Sequence, residues 1–355
     1  MQSPRLSELP APPSGKSGWP WTEDGPRLRN SRLDGSDWPL ISIVTPSFNQ
    51  GKFLEETIRS VLLQGYPNLE YIVIDGLSRD GSLEIIKRYS PWLTYWVSEK
   101  DRGQSHAINK GMARATGDVL AWLNSDDLYL PNALARVATA WDKKQTHWLV
   151  GKIRAGESTD SPDVRTLRLS SSQTFLEIAA FWLVRERNLR TFTQPEVFIS
   201  RRAWQTVSGL CEKLFLAMDY HLWAKLSALG YMPMYLPEEI AFFRVHKAQK
   251  TAPANSEYVS RVTGERVWAL YDALRLARTV NPAPPDTEEV ANLLGNKAAG
   301  YCKILDEFFT HYNGIKVLRA VMIEALFHPG TTLKYITPRT VMRLIRQPSP
   351  VAHEG

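Results

Sequence analysis

Three apolar runs in the first half of the chain each end in polar residues that include carboxylates or amides. Residues 41–44 lead into Thr45-Pro46-Ser47-Phe48-Asn49, and residues 71–74 into Asp75-Gly76-Leu77-Ser78-Arg79-Asp80. Residues 119–123 lead into Asn124-Ser125-Asp126-Asp127, and a further acidic turn holds Asp101, Arg102, Gly103 and Gln104. Carboxylates repel a bare phosphate, so such a site accepts one only with a divalent cation between them. Oxygen ligands with open coordination positions suit magnesium or manganese. The chemistry is that of a metal-dependent nucleotide-diphosphate site. A nicotinamide dinucleotide site would instead need G-x-G-x-x-G in its first turn, and residues 45–51 lack it.

The elements that must position these groups are legible as patterns. Phe53, Leu54, Ile58, Val61 and Leu62 recur at helical spacing between the first two runs. Further helices are expected over residues 83–89 and 106–115, and a strand over 93–97. Strands alternating with helices predict an α/β fold with a mostly parallel sheet flanked by helices. Ligands on such sheets sit at the carboxyl ends of the strands, where all four polar clusters fall. After Asp127 a helix is expected over 130–141, a strand over 148–153, a polar loop over 156–162 and a strand within 191–202.

Composition sets the frame. The 355 residues are 43% hydrophobic and 23% charged with net charge +6, which is ordinary for a soluble globular chain and does not call for nucleic acid. Cys211 and Cys302 form neither a disulfide framework nor a metal-binding spacing. No apolar run approaches the roughly 20 residues of a membrane helix. The proline-rich start lacks the apolar stretch of a secretory signal, so a cytoplasmic location is expected. The expected divisions are a flexible arm at 1–38, a half at 39–150 that carries the nucleotide-diphosphate site and a second half at 151–254. A C-terminal helical appendage follows at 255–330, then a basic amphipathic tail at 331–355. In the arm, Trp19, Trp21 and Trp38 are candidates for pinning its end to the domain. In the tail, basic residues beside an apolar stripe fit either the surface of an anionic membrane or the folded domain before it.

The four motifs, taken in order, resemble family 2 glycosyltransferases of the GT-A fold over about residues 40 to 250. The resemblance implies inverting transfer of a sugar from a UDP- or dTDP-sugar to a glycan or lipid-linked acceptor, in cell-surface polysaccharide assembly. It implies a nucleotide-sugar pocket of Thr45, Pro46, Ser47, Asn49, Asp75, Asp101, Gln104 and Asn124, with Lys250 reaching the phosphates. Asp126, Asp127 and His246 fall where relatives hold manganese or magnesium, with an asparagine, Asn124, in the place of the first acid. One of Asp126 and Asp127 is expected to be the direct ligand. Asp219, an acid beside an aromatic at a helix start, falls where the family keeps its general base. Asp80 reads as either a helix cap or a donor-site carboxylate, and His221 as either a core histidine or a group facing the pocket. Two other classes compete: a catalytically inactive relative that binds nucleotide sugar or glycan, suggested by Asn124 alone, and a nucleotidyltransferase, whose Gly-rich basic phosphate loop is absent.

Overall fold

The computed structural model describes residues 3–159, 161, 165–167, 174–179, 182, 192–250 and 256–295. The part of the expected C-terminal helices beyond residue 295, the tail at 331–355, Cys302 and Thr191 lie outside the described residues. The chain divides into two compact units. The first comprises residues 1–173, 190–222 and 231–249, the second residues 174–189, 223–230 and 250–355.

The first unit is built on one mixed sheet. Its first half alternates as the hydrophobic runs require: β1 (Ile41–Ser47), α1 (Gly51–Leu62), β2 (Leu69–Asp75), α2 (Ser82–Tyr89), β3 (Tyr95–Ser98), α3 (Gln104–Arg114) and β4 (Val119–Trp122). β1, β2 and β4 are buried throughout. Strands covered on both faces read as unbroken apolar runs, which is why these were legible. The chain continues through β5 (Leu128–Tyr129), α4 (Ala133–Ala140), β6 (Trp148–Gly156), β7 (Arg165–Leu167), α5 (Phe175–Ala179), β8 (Val197–Ser200), α6 (Arg201–Thr206), α7 (Met218–Ala228), β9 (Met234–Arg244) and α8 (Ser256–Ala277). Among the described residues the sheet order is β3-β2-β1-β4-β8-β6-β9-β5, with β7 beside β6. β1 to β4 pair in parallel, β8 is antiparallel to β4 and β6, and β6 and β9 are parallel again. This is the expected α/β class, a largely parallel sheet flanked by helices, with its antiparallel strands confined to the second half.

α3 lies close on the sheet. A Cβ at Gly111 would fall 2.4 Å from Val44 Cγ1, so only glycine allows that approach.

The N-terminal arm departs from expectation. Rather than hanging loosely, residues 3–38 follow the domain, with Leu9, Trp19 and Trp21 buried. Trp19 Nε1 donates to the Tyr129 carbonyl at 2.9 Å. Arg59 of α1, fully buried, donates from Nε to Pro20 O at 3.0 Å, from Nη1 to Pro10 O at 2.9 Å and from Nη2 to Trp21 O at 3.0 Å. Prolines remove donors but not acceptors, and one guanidinium satisfies three arm carbonyls that have no helix or strand of their own.

In the second unit, α8 buries Ala269, Leu270, Ala273, Leu274 and Ala277 along one stripe. Asp286 Oδ2 accepts from the Leu176 amide of α5. No helix among the described residues is long and apolar enough to cross a membrane.

Candidate functional site

The strand order reverses between β1 and β4, so the turns after these strands open a crevice at their carboxyl ends. On one side of it the turns after β1 and β2 are laced together. Asp75, fully buried, accepts from Ser78 Oγ at 2.5 Å, Ser78 N at 3.0 Å and Ser98 Oγ at 2.6 Å. Asn49, at φ +52°, donates its N–H to Ser78 Oγ at 2.8 Å and accepts from Arg79 N at 2.9 Å. Asp80 accepts from Gly51 N, at the start of α1, at 2.8 Å and from Ser82 Oγ at 2.6 Å. Slight burial works to raise its pKa, but the bonds from Ser82 and Gly51 outweigh it and hold the carboxyl below its ordinary range. Asp80 is therefore a brace between two helix starts, as its reading as a cap anticipated.

A Cβ on Gly76 would lie 2.6 Å from Asp101 Oδ2 and 3.2 Å from Phe48 Cδ2, so Asn49, Asp75 and Asp101 share one rim. The same rim exposes Phe48 at 61% and Leu77 at 49%, Leu77 with φ +68°. Sequence reading passed over both side chains, and large apolar groups held exposed at a polar rim are the signal for a flat ligand face. Pro46 and Ser47 are buried at the end of β1. Thr45 does not face the crevice, because its hydroxyl is buried against Tyr71 Oη at 3.0 Å, so it shapes the strand rather than touching a ligand.

The turn after β4 forms the opposite wall. Gln104 Nε2 donates to Asn124 Oδ1 at 2.8 Å. The Thr57 hydroxyl of α1 is shared between the carbonyls of Ser125 at 2.9 Å and Asp127 at 2.8 Å. From the end of β9, Arg244 N donates to Asp127 Oδ1 at 3.0 Å and Arg244 Nε to Asp126 O at 2.9 Å. The Arg244 guanidinium also meets Glu56 at 3.2 Å in a buried ion pair. Two residues on, His246 Nε2 lies 3.0 Å from Asp126 Oδ2, its ring 4.6 Å from that of Phe53.

The two neighbouring acids thus part company, as adjacent side chains on extended backbone do. Asp126 is partly open beside His246, whereas Asp127 is buried. Burial, then the Asp126 charge, push the Asp127 carboxyl well above the ordinary carboxylate range, against the opposing bond and charge of Arg244. Asp126, Asp127 and His246 do not converge on one point as a three-ligand site. Among the described residues no group of three or more such side chains is placed to hold a metal ion. What remains is a donor pair, Asp126 and His246. A carboxylate oxygen and an imidazole nitrogen fit manganese if a ligand's own oxygens fill the other positions. Sequence reading missed Arg244, Glu56 and Thr57, which fasten this loop from helix and strand faces that look like ordinary core.

Asp219 stands in the first turn of α7, partly buried, its Oδ1 accepting from Tyr220 N at 2.7 Å. Ser105 Oγ, beside Gln104 at the start of α3, donates to Met218 Sδ at 2.7 Å. The first turn of α3 therefore touches the acidic wall through Gln104 and the Asp219 turn through Ser105. His221 is buried, as a core histidine should be. Lys250 belongs to the second unit.

Before β8, Glu196 closes a capping box on Thr193, accepting from its N at 2.7 Å and its Oγ1 at 3.0 Å, while among the described residues Glu196 Oε2 has no partner. Burial pushes this carboxyl up to about 8 from 4.5, outweighing the Thr193 bonds. A neutral acid in the fold contributes stability that is fully present below the unfolded value of 4.5 and is lost as pH rises through about 8. Glu196→Gln keeps the oxygen that caps Thr193 and cannot ionise. The stability of the wild type relative to this variant should fall steadily across that window, read by urea unfolding at a series of pH values. A difference independent of pH would show that Glu196 is already ionised in the fold.

Comparison with known proteins bears on this geometry. Residues 42–205 match the model of the family described as glycosyl transferase family 2. An uncharacterized glycosyltransferase of Rickettsia typhi is 29% identical over 226 residues, covering 61% of this chain and 67% of its own. A Bacillus subtilis glycosyltransferase named for teichuronic acid biosynthesis, TuaG, is 35% identical over 105 residues, covering 28% of this chain and 42% of its own. Among solved structures, Staphylococcus aureus TarS 1–349 in complex with UDP superposes with a TM-score of 0.53 at 16% identity, over 77% of this chain and 75% of that one. The mannosyltransferase PcManGT of Pyrobaculum calidifontis, in complex with GDP-Man and Mn2+, gives 0.51 at 18% identity over 87% and 85%. At these identities the structural likeness speaks for the fold.

Proposed function

We propose that this chain, whose residues 42–205 match the glycosyl transferase family 2 model, moves a sugar from a nucleotide-diphosphate sugar to an acceptor hydroxyl with inversion. The observation that carries the reading is the first turn of α3, which joins the acidic wall at Asn124 to the turn holding Asp219. A donor on one side of that turn and an acceptor on the other would meet across it. Asp75, Asp101 and the exposed Phe48 face would receive the base and ribose of a UDP- or dTDP-sugar. Asp219 would take the acceptor hydroxyl's proton as its oxygen bonds to the anomeric carbon and the bond to the diphosphate breaks. An aspartate suffices, because it need accept the proton only once the oxygen is already bonding.

Asp126 and His246 would hold the divalent cation, manganese or magnesium, which supplies positive charge to the diphosphate that leaves. Asp127 acts differently: buried and bonded to Arg244, it shapes the loop. This also explains Asn124. A third carboxylate there would face buried Asp127, whereas the amide donates toward it and accepts from Gln104. The asparagine is thus accounted for without a decayed site, which favours the enzyme over an inactive binder. TarS with UDP-GlcNAc bound and TuaG support a UDP-sugar donor and a cell-surface polysaccharide acceptor.

Two protein donors bind a cation weakly, so manganese and UDP should reinforce each other. Calorimetry should find UDP affinity raised about tenfold or more by manganese, and by linkage manganese affinity raised equally by UDP. Asp126→Ala should abolish the coupling. UDP binding indifferent to chelator would overturn the cation's role. Incubation with a panel of UDP- and dTDP-sugars, read by product mass, tests the activity itself, and UDP binding without turnover of any donor would sink it.

A further inference from the structure

We propose that Asn109 is a positioning residue: by gripping Leu210 at both of its backbone groups, it sets the loop that carries Asp219 against the acceptor hydroxyl. The inference rests on Asp219 being the general base, as proposed above. Asn109 Nδ2 donates to Leu210 O at 2.9 Å, and Leu210 N donates to Asn109 Oδ1 at 3.0 Å. A side-chain amide offers one donor and one acceptor in a plane at the spacing of a peptide group, so it pairs with a backbone as a neighbouring strand would. Aspartate lacks the donor, and an apolar residue lacks both.

The gripped segment has no strand of its own. It begins where α6 ends, reverses through Ser208 at φ +57° and Gly209 at φ +66°, and runs to the start of α7 at Met218. A Cβ at Gly209 would stand 2.9 Å from Asn109 Oδ1, so the left-handed glycine also clears room for the grip. Two more contacts flank it. Arg102 Nε and Nη2 donate to Glu212 Oε2 at 2.9 and 2.6 Å, and Ser105 Oγ meets Met218 Sδ. Positions 102, 105 and 109 are three and four residues apart, which is one face of a helix and its lead-in turn. The opposite side of the same helix packs on β1 at Gly111. α3 thus reaches the sheet with one face and the base-bearing loop with another.

Of the three contacts, Arg102–Glu212 is largely exposed and contributes little. Asn109 is partly buried and holds a buried residue, Leu210. Releasing the grip would leave the donor wall intact and let the Asp219 turn drift, and a misplacement of about 1 Å costs up to about a hundredfold in rate.

The test uses the full chain, Asn109→Ala, and Asn109→Asp, which keeps size and one bond. UDP affinity with manganese should stay within about twofold of wild type in both. With the substrate pair that the donor screen returns, kcat should fall about tenfold to a hundredfold while the donor KM is unchanged. Hydrogen exchange of residues 207–217 should quicken in both variants while residues 119–127 keep their protection. Unchanged exchange across 207–217 would overturn the proposal whatever the activity, and so would joint loss of UDP affinity and kcat, which marks a merely structural residue. Failure of the function reading looks different: the wild type itself turns over no donor, and the exchange measurement still decides the grip.

Discussion

Asp219→Asn should lose about a hundredfold to ten-thousandfold of transfer while binding UDP and manganese as the wild type does. That range is what a positioned general base contributes. The substitution is nearly isosteric, and Asp219 Oδ1 accepts from the neighbouring Tyr220 amide, a bond the asparagine oxygen can keep. Loss of the fold is therefore not the expected cause of lost activity. Nor should donor binding change, because Asp75, Asp101, Asp126 and His246 all lie on other turns. Rates with the best donor and acceptor, beside calorimetric UDP affinity, separate the two effects. Near-normal transfer in a folded variant would remove Asp219 from the mechanism.

Arg59→Met should destabilise the protein by about 3–5 kcal/mol, the cost of breaking a buried charged network from one side. Methionine has similar bulk but no donors, so the carbonyls of Pro10, Pro20 and Trp21 would be left buried without partners. Tyr89 Oη would lose its bond from Nη1 at 2.9 Å, and the guanidinium packed 5.3 Å from the Trp21 ring centroid would go. The arm should then detach before the domain melts, seen as early proteolysis within residues 3–38 and a fall in urea midpoint. A variant as stable as wild type would mean the arm's buried tryptophans hold it unaided.

How much of this was legible in advance depended on whether the determining contact was local. β1, β2 and β4 announce themselves because each buries an unbroken run, and the first three helices because each buries one helical stripe. The carboxylates at the strand ends stand out because they follow those runs directly. The arm was misread because its partner is Arg59, dozens of residues away, and nothing local marks a proline-rich stretch as an acceptor of three guanidinium bonds. Asp126 and Asp127 could not be ranked for a similar reason. What buries one and opens the other is Arg244, more than a hundred residues later, and Thr57, on a helix before them. Phe48 and Leu77 were passed over because apolar side chains in a turn carry no periodic signal.

β9 enters the sheet between β6 and β5, and its terminal residue, Arg244, bonds Asp127. Since β5 follows the acidic turn directly, residues 128–129 wait, unpaired on that side, for residues 241–242 to arrive. During synthesis the parallel half can assemble as soon as β4 leaves the ribosome, but the acidic wall cannot close until about 120 further residues have been made. A stalled or clipped chain ending before β9 would therefore keep a donor-like crevice with two unrestrained acids at its edge. On the proposed function, the competence to bind metal with nucleotide would be acquired late, so coupled manganese and UDP binding would be a stricter measure of complete folding than secondary-structure content.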